Sequence, residues 1–478
     1  MTTVDAVNIQ AEETGPFRAQ EAGAHDRSAP VTILNPSDGS LVGSVQQATV
    51  DQVTAAVRSA RAAAVAWAAV TPEERGQLLR QVAAELARNA DELADWNRRE
   101  TGRPVGEALG GIMAGAHTLE QYAELGPVHR GRSLRGQRLA ADYTIPEPRG
   151  VVAVLTPWND PVAVACGLIG AAVVTGNAVI HKPSERCPHL GRRLGQILAQ
   201  ALPPAVLTTL DGGPAVGAQL SSEAGVDVVA HVGSSATGAA IARAAASTGA
   251  HTVLENGGND PLLVDDDVDP AWAAEQAAVG AFTNSGQICT SVERIYVHAR
   301  IADEFLQALE AEARRRNESG ALGPLVDERL RAAVHGQVAD AVAAGARTTV
   351  GGAVPDTPGT YYPATVLRGC TATMSVMREE TFGPVAPVQV VDSFEAGLEL
   401  AAAGCYGLAA SVLTGSLKNA QRAVAALPVG TVKINNVFGG APGGAAQPRG
   451  ASGHGFGYGP ELLDEMTTVK VVHIEAPR

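Results

Sequence analysis

The sequence predicts an α/β protein built as two lobes, and three observations carry that reading. The chain has 478 residues, too many for one ordinary hydrophobic core. Its middle alternates short apolar runs, GVVAVLTP, NAVIHKP and DVVAHVGS, with segments long enough to be helices. That rhythm belongs to βαβ units whose parallel strands are buried on both faces. After an alanine-rich helix a second series of strand candidates follows: SVERIYVH, YYPATVL, APVQVV, LAASVLT and GTVKINN.

Taken in order, residues 1–28 read as a loose polar arm, and VTILNPSDG as a short strand and turn. Residues 50–70 and 72–100 read as helices, the second with proline near its start and apolar residues at helical spacing. A further helix is expected from Val105 to Ala123. HTVLENGG and PLLVDDD continue the strands, with a lobe boundary near Gly257–Asn259. Two segments fit neither lobe: the extended excursion RSLRGQRLAADYTIPEP (132–148) and the lone late strand KVVHIEA. Lone strands leave unpaired edges that a partner subunit can cover. The glycine-rich stretch 439–460 reads either as a wall of an active site or interface, or as a plain surface loop.

Composition narrows the function. With 45% apolar and 18% charged residues the chain is globular rather than disordered. A formal charge of −14 argues against a general nucleic-acid or anionic-membrane binder, while leaving room for a local phosphate pocket. The N-terminal residues lack a signal-type apolar run, and LIGAAVVTGNAVI is too short and broken to span a bilayer. Cysteines at 166, 187, 289, 370 and 405 form no CxxC pair and no metal-ligand spacing. A reducing compartment, most simply the cytoplasm, is expected, with no metal site.

The residues that can carry chemistry stand at predicted strand ends. In LTPWNDP, Asn159 can donate to an oxygen that becomes negative, or cap its own turn. In NAVIHKPSE, Lys182 can meet a ribose hydroxyl or phosphate, and Glu185 can accept from ribose hydroxyls while repelling a 2′-phosphate. The adjacent Arg186 offsets that repulsion, and the whole turn can equally be an ordinary solvated one. VGSSATG (232–238) opens a helix whose free N–H groups suit a pyrophosphate, although Ser234 can simply cap it. No GxGxxG fingerprint accompanies it. Glu255, in VLENGGND, can activate water if burial raises its pKa, or serve as a surface glutamate. Cys289, in FTNSGQICT, is either a nucleophile or a buried structural thiol.

Together these stretches resemble the aldehyde dehydrogenase superfamily over roughly residues 30–475. The resemblance rests on TPWN (156–159), KPSE (182–185), VGSSATG, LENGGNDP (254–261), FTNSGQICT (282–290), EETFGPV (379–385) and the asparagine of KINN (433–436), in that order. It implies two Rossmann-like three-layer lobes, one cofactor-binding and one catalytic, plus a small β oligomerisation element. The cofactor lobe would span residues 1–126 and 147–257, the catalytic lobe 258–460, and the oligomerisation element 127–146 and 461–478. Assembly as a homodimer or homotetramer follows from the same resemblance.

The resemblance assigns Cys289 as nucleophile, Glu255 as general base and Asn159 as oxyanion donor. Trp158, Lys182, Glu185, Gly233 and Ser234 match cofactor-contacting positions, and Glu380 and Phe382 the positions that hold the nicotinamide-side ribose. The implied reaction oxidises a small-molecule aldehyde with NAD, or NADP, through a thiohemiacetal and a thioester. Water activated by Glu255 then releases the acid. Rival readings are thioester transfer to coenzyme A, a specialised semialdehyde dehydrogenase, and a binding or structural protein of the same fold.

Departures from the family pattern cluster near the substrate. Asp160 replaces a frequent aromatic residue, Leu168 a frequent lysine and Asn256 a frequent leucine or methionine. QPRGASGHGFGYG lacks the usual phenylalanine–glycine–glycine run and the lysine after it. Asp160 can suit a cationic aldehyde or enter a salt bridge. Phe282, Phe438, Phe456 and Tyr458 can instead line an aromatic pocket.

Overall fold

A computed structural model of the chain describes residues 27, 29–440 and 444–477. The N-terminal arm, apart from Arg27, and residues 441–443 of the glycine-rich stretch lie outside the described residues.

A six-stranded sheet runs in the order Gly453–His454, His251–Glu255, Val228–Val232, Val151–Leu155, Ala178–Lys182, Leu207–Thr209. All neighbours are parallel except the antiparallel edge strand Gly453–His454. The apolar strand runs are continuous because both faces are covered. Val152, Val154 and Val179 face a cluster with Leu86, Leu119 and Leu168, whereas Val151, Ala153 and Ile180 face Val53, Leu220 and Ile241.

A seven-stranded sheet follows, in the order Arg347–Val350, Thr365–Arg368, Val385–Val391, Val292–His298, Asp260–Val264, Ala409–Leu413, Thr431–Ile434. Only its edge strand Arg347–Val350 is antiparallel. One face packs on the helices Pro270–Phe282 and Ala302–Ser319 through Phe282, Phe305 and Leu309. The chain crosses between the sheets over residues 256–259, and those four residues border the site.

The helical stretch 72–100 is two helices rather than one, Pro72–Arg88 and Ala90–Thr101. Asn89 breaks it: its side-chain amide donates to the Glu85 carbonyl at 2.8 Å and to the Glu85 carboxylate at 3.0 Å, competing with the backbone ladder. The late strand is not lone either. Thr467–Ile474 pairs antiparallel with Ala141–Pro148 along its full length, and Ser133–Leu134 completes a three-stranded sheet. That sheet still presents Val469 and Val471 outward, 71% and 66% exposed. Among the described residues no helix is long and apolar enough to cross a membrane.

Candidate active site

Parallel sheets offer ligands the carboxyl ends of their strands, where unpaired backbone groups and helix N-termini converge. Four strands of the first sheet end in the stretches singled out above: Val151–Leu155 before TPWN, Ala178–Lys182 before KPSE, Val228–Val232 before the Ser234 turn, and His251–Glu255. The second sheet contributes the loop ahead of Val292–His298, which holds Cys289, and the loop ahead of Val385–Val391, which holds Glu380 and Phe382.

The polar residues around Cys289 are spent on holding their own loop. Asn284 and Ser285 adopt left-handed backbone, φ 48° and 55°, a costly conformation kept only where contacts over-determine it. Ser285 Oγ donates to the Gly323 carbonyl at 2.7 Å, and Ser291 Oγ to the Gly286 carbonyl at 3.1 Å. Gln287 Oε1 accepts from the Val326 N–H at 2.9 Å. The Gln287 carbonyl takes two amide donors, Asn284 Nδ2 at 3.2 Å and Asn159 Nδ2 at 3.1 Å. Asn159 thus meets the cysteine loop from the other lobe.

The glycines of ENGGND allow the close approach that the loop requires. A Cβ on Gly258 would stand 2.7 Å from the Cys289 carbonyl, and one on Gly257 would stand 2.2 Å from Glu380 Oε2. Glu380 Oε1 instead accepts from the Gly258 N–H at 3.0 Å. Glu255 leads into the same turn, and its Oε1 accepts from the Gly457 N–H at 3.0 Å. Glu380 and the Cys289 carbonyl therefore lie against this pair of glycines, to which Glu255 leads in sequence.

The electrostatics follow from burial. Cys289 is half-buried, and burial pushes its thiol up to about 12, with the carboxylates of Glu255, Asp260, Glu380 and Asp160 adding to the rise. Glu255 is raised to about 7 by burial, against a lowering contribution from the Gly457 hydrogen bond. Glu380 lies well above the usual carboxylate range through burial and the nearby Glu293 charge.

On the nucleotide side, Lys182 is buried with its ammonium donating to the carbonyls of Pro183 at 2.7 Å and Gly212 at 2.9 Å, and 3.9 Å from Glu185. Trp158 meets Phe382 edge to face at 5.6 Å, and the Arg186 guanidinium lies 5.2 Å from the Trp158 ring. Arg186 also pairs with Asp327 at 2.9 Å. It is engaged across the crevice rather than free beside Glu185. Ser234 is exposed and caps the helix Ser235–Ala246, accepting from the Thr237 N–H at 3.3 Å. Gly233 has no room for a side chain, since a Cβ would meet the His231 ring at 2.6 Å. The crevice fits a dinucleotide on these terms: a helix N-terminus whose cap residue Ser234 is solvent-exposed, a buried ammonium, and a buried Ser235 hydroxyl with no hydrogen-bond partner among the described residues.

Several residues escaped the sequence reading. Glu293, buried, accepts from the N–H groups of Thr381 at 2.9 Å and Phe382 at 2.8 Å, and from Asn259 Nδ2 at 3.2 Å. It fixes the loop of Glu380 and Phe382, and Phe382 has φ 54°. Arg103 pairs with Asp160 at 2.7 Å and donates to the Asn159 carbonyl at 3.1 Å. Of the two roles weighed for Asp160, the salt bridge is the one formed. Leu168 is a core residue. Asn256 is buried, donating from its amide to the Ala451 carbonyl at 3.2 Å. Phe282 is 1% exposed within the core beside the seven-stranded sheet, so it lines no aromatic pocket. Among the described residues no group of three or more His, Cys, Asp or Glu can hold a metal ion.

Known proteins resemble this chain over nearly its whole length. Residues 24–472 match the sequence profile of the aldehyde dehydrogenase family. A betaine aldehyde dehydrogenase of Cereibacter sphaeroides is 36% identical over 437 residues, which cover 88% of this chain and 90% of that protein. An NADP-dependent enzyme of E. coli superposes with a TM-score of 0.91 at 31% identity, covering 94% of this chain and 95% of that one. An NAD-dependent aldehyde dehydrogenase of Sinorhizobium meliloti superposes equally, TM-score 0.91 at 31% identity, over 94% of this chain and 92% of that one. The matched span takes in both sheets and every strand end that lines the crevice, and the chain belongs to the aldehyde dehydrogenase family.

Proposed function

We propose that this protein oxidises an aldehyde to its carboxylic acid with NAD, through a thioester on Cys289. The observation that carries the reading is that the Cys289 loop is met by the Asn159 amide, through the Gln287 carbonyl, and by Gly258 of the turn that Glu255 leads into. Cys289 releases its proton to solvent as Sγ adds to the carbonyl carbon, and Glu255, raised to about 7, stays ionised for the later step as a group that both takes and returns a proton near neutrality. The carbonyl oxygen, now an oxyanion, is held by the second Asn159 amide hydrogen and the Cys289 N–H. Bound NAD supplies the acceptor for the hydride that leaves the former aldehyde carbon. Glu255 then takes a proton from water, the hydroxide attacks the thioester, and the acid departs as the thiol re-forms.

Trp158, Lys182, Glu185, Gly233 and Ser234 would hold the dinucleotide, with Glu380 and Phe382 at its nicotinamide-side ribose. The relatives include both NAD- and NADP-dependent enzymes. Glu185 favours NAD by repelling a 2′-phosphate, and Arg186, paired with Asp327, is not free to offset it. NADP is the weaker alternative. A reducing compartment such as the cytoplasm keeps Cys289 a thiol. The outward Val469 and Val471 support a homodimer or homotetramer built through residues 127–146 and 461–478, with 1–126 and 147–257 as cofactor lobe and 258–460 as catalytic lobe.

The test follows NADH absorbance over a panel of aldehydes, with and without coenzyme A. Turnover that needs no coenzyme A, and that Cys289→Ala abolishes while NAD still binds, is the expected result. Turnover by the Cys289→Ala variant, or turnover that requires coenzyme A, would overturn the mechanism.

A further inference from the structure

We propose that Gly457 is a positioning residue for Glu255: its N–H holds the carboxylate, and its missing side chain makes the space that the carboxylate fills. The inference rests on reading Glu255 as the general base. Two features of the geometry carry it. The Gly457 N–H donates to Glu255 Oε1 at 3.0 Å, and a Cβ on Gly457 would stand 2.2 Å from Glu255 Cγ and 2.7 Å from Oε1. Real Cβ atoms do not approach so closely, so any other residue at 457 displaces the base.

The donor is rigidly placed. Gly453 pairs with Glu255 itself as the edge strand joins the sheet. His251, the first residue of the strand that ends in Glu255, pairs with Glu465 at 2.6 Å, and Glu465 Oε1 accepts from the Phe456 N–H at 3.0 Å. Beyond the contact, Tyr122 Oη donates to the Gly459 carbonyl at 3.2 Å. The loop is thus tied on both sides of Gly457 and, twice, to the strand that carries the base. A fixed N–H on one oxygen leaves Oε2 to face water, and it favours the ionised form against burial.

The test pairs kinetics with hydrogen exchange on the full-length protein. In Gly457→Ala, NAD binding and the first-turnover NADH burst should persist while steady-state turnover falls by about 10–100-fold. The acid limb of the remaining turnover should move up by about one pH unit. Because aspartate is shorter, Glu255→Asp should suffer less from the added methyl than the wild type does, a coupling that a double-mutant cycle reads. An unchanged ratio of burst to steady state in Gly457→Ala would overturn the inference, and so would burst and steady state falling in equal proportion. Should that variant not fold, exchange of the Gly457 amide decides: it should quicken at least about tenfold in Glu255→Ala and stay near wild type in Glu255→Gln. Equal exchange in all three proteins would overturn the contact. Wild-type turnover in Glu255→Gln would bring down the assignment of the base, whereas wild-type turnover in Gly457→Ala beside an impaired Glu255→Gln brings down the inference alone.

Discussion

The side-chain amide of Asn159 donates to the carbonyl of Gln287 at 3.1 Å, two residues ahead of Cys289. One of its two hydrogens is spent on orienting the amide, and in the proposed mechanism the other stabilises the oxyanion. Asn159→Ala is expected to lower kcat by about 10²–10³-fold, the usual effect of deleting one such donor. The thermal midpoint should change little, because one lost hydrogen bond costs about 1 kcal/mol. Single-turnover NADH formation, measured beside a thermal melt, separates a chemical defect from a folding one.

Cys289 begins as a protonated thiol, pushed up to about 12 by burial and by four carboxylates. Only the thiolate alkylates well, so iodoacetamide labelling of the protein alone should be slow at neutral pH and quicken as pH rises. The nicotinamide of NAD carries a positive charge, which favours the thiolate. Saturating NAD should therefore shift the labelling curve to lower pH. Intact-mass measurement of labelling rates across a pH series checks this, and a curve unmoved by NAD would contradict it.

Glu293 gathers three donors in the interior, the N–H groups of Thr381 and Phe382 and the amide of Asn259. Glu293→Ala strands all three, at about 1–3 kcal/mol for each left unsatisfied. The loop of Glu380 and Phe382 should loosen, lowering both the thermal midpoint and the affinity for NAD. Calorimetric titration with NAD reads the second effect. A destabilised variant with unchanged NAD affinity would limit Glu293 to a structural role.

Asp160 and Arg103 form a pair in which the arginine side chain is 12% exposed and the carboxylate 37%. Asp160→Asn leaves that guanidinium short of its countercharge, at a cost of roughly 1–2 kcal/mol given the exposure of the acid. The same carboxylate helps to hold the Cys289 thiol high. The variant should thus melt earlier yet alkylate faster than the wild type at the same pH. Slower alkylation would show that Asp160 does not act on the thiol through its charge.

The sequence made the sheets legible because strands such as Val151–Leu155 are apolar on both faces, and the site legible because its motifs stand at strand ends. Asn159, Glu255 and Cys289 each carried a rival structural reading until spacing and order were taken together. What stayed hidden was long-range or unpatterned. Ala141–Pro148 and Thr467–Ile474 pair across more than three hundred residues, and nothing local announces a partner that distant. Glu293 lies in an ordinary strand run, and its value comes from backbone donors in another loop. Gly457 is one glycine among many until the carboxylate beside it is seen. Asn89 was missed for a different reason: the helical spacing continues past it, and only its side-chain bonds to Glu85 reveal the break.

Glu255 sets stability against activity. Its carboxyl titrates near 7 in the folded protein, above its usual value, because burial disfavours the charge. The folded state thus holds a proton that the unfolded chain has already released, and this contribution to stability is full below the unfolded pKa and lost as pH rises through about 7. In the proposed mechanism activity runs the other way, since only the ionised form of Glu255 can take a proton from water. Glu255→Gln stays neutral at every pH and escapes the cost. Its thermal midpoint should exceed that of the wild type by an amount that grows from pH 5 to pH 8, roughly 1–2 °C by the upper end. Comparing variant with wild type at each pH cancels the opposing titration of the buried His181 and His231, whose pKa values are depressed by burial. Over the same range wild-type turnover should rise with an acid limb near 7, so that the pH at which the base works is the pH at which it most burdens the fold. A midpoint difference that is flat with pH would mean that Glu255 titrates near its ordinary value, and the acid limb would then have to belong to another group.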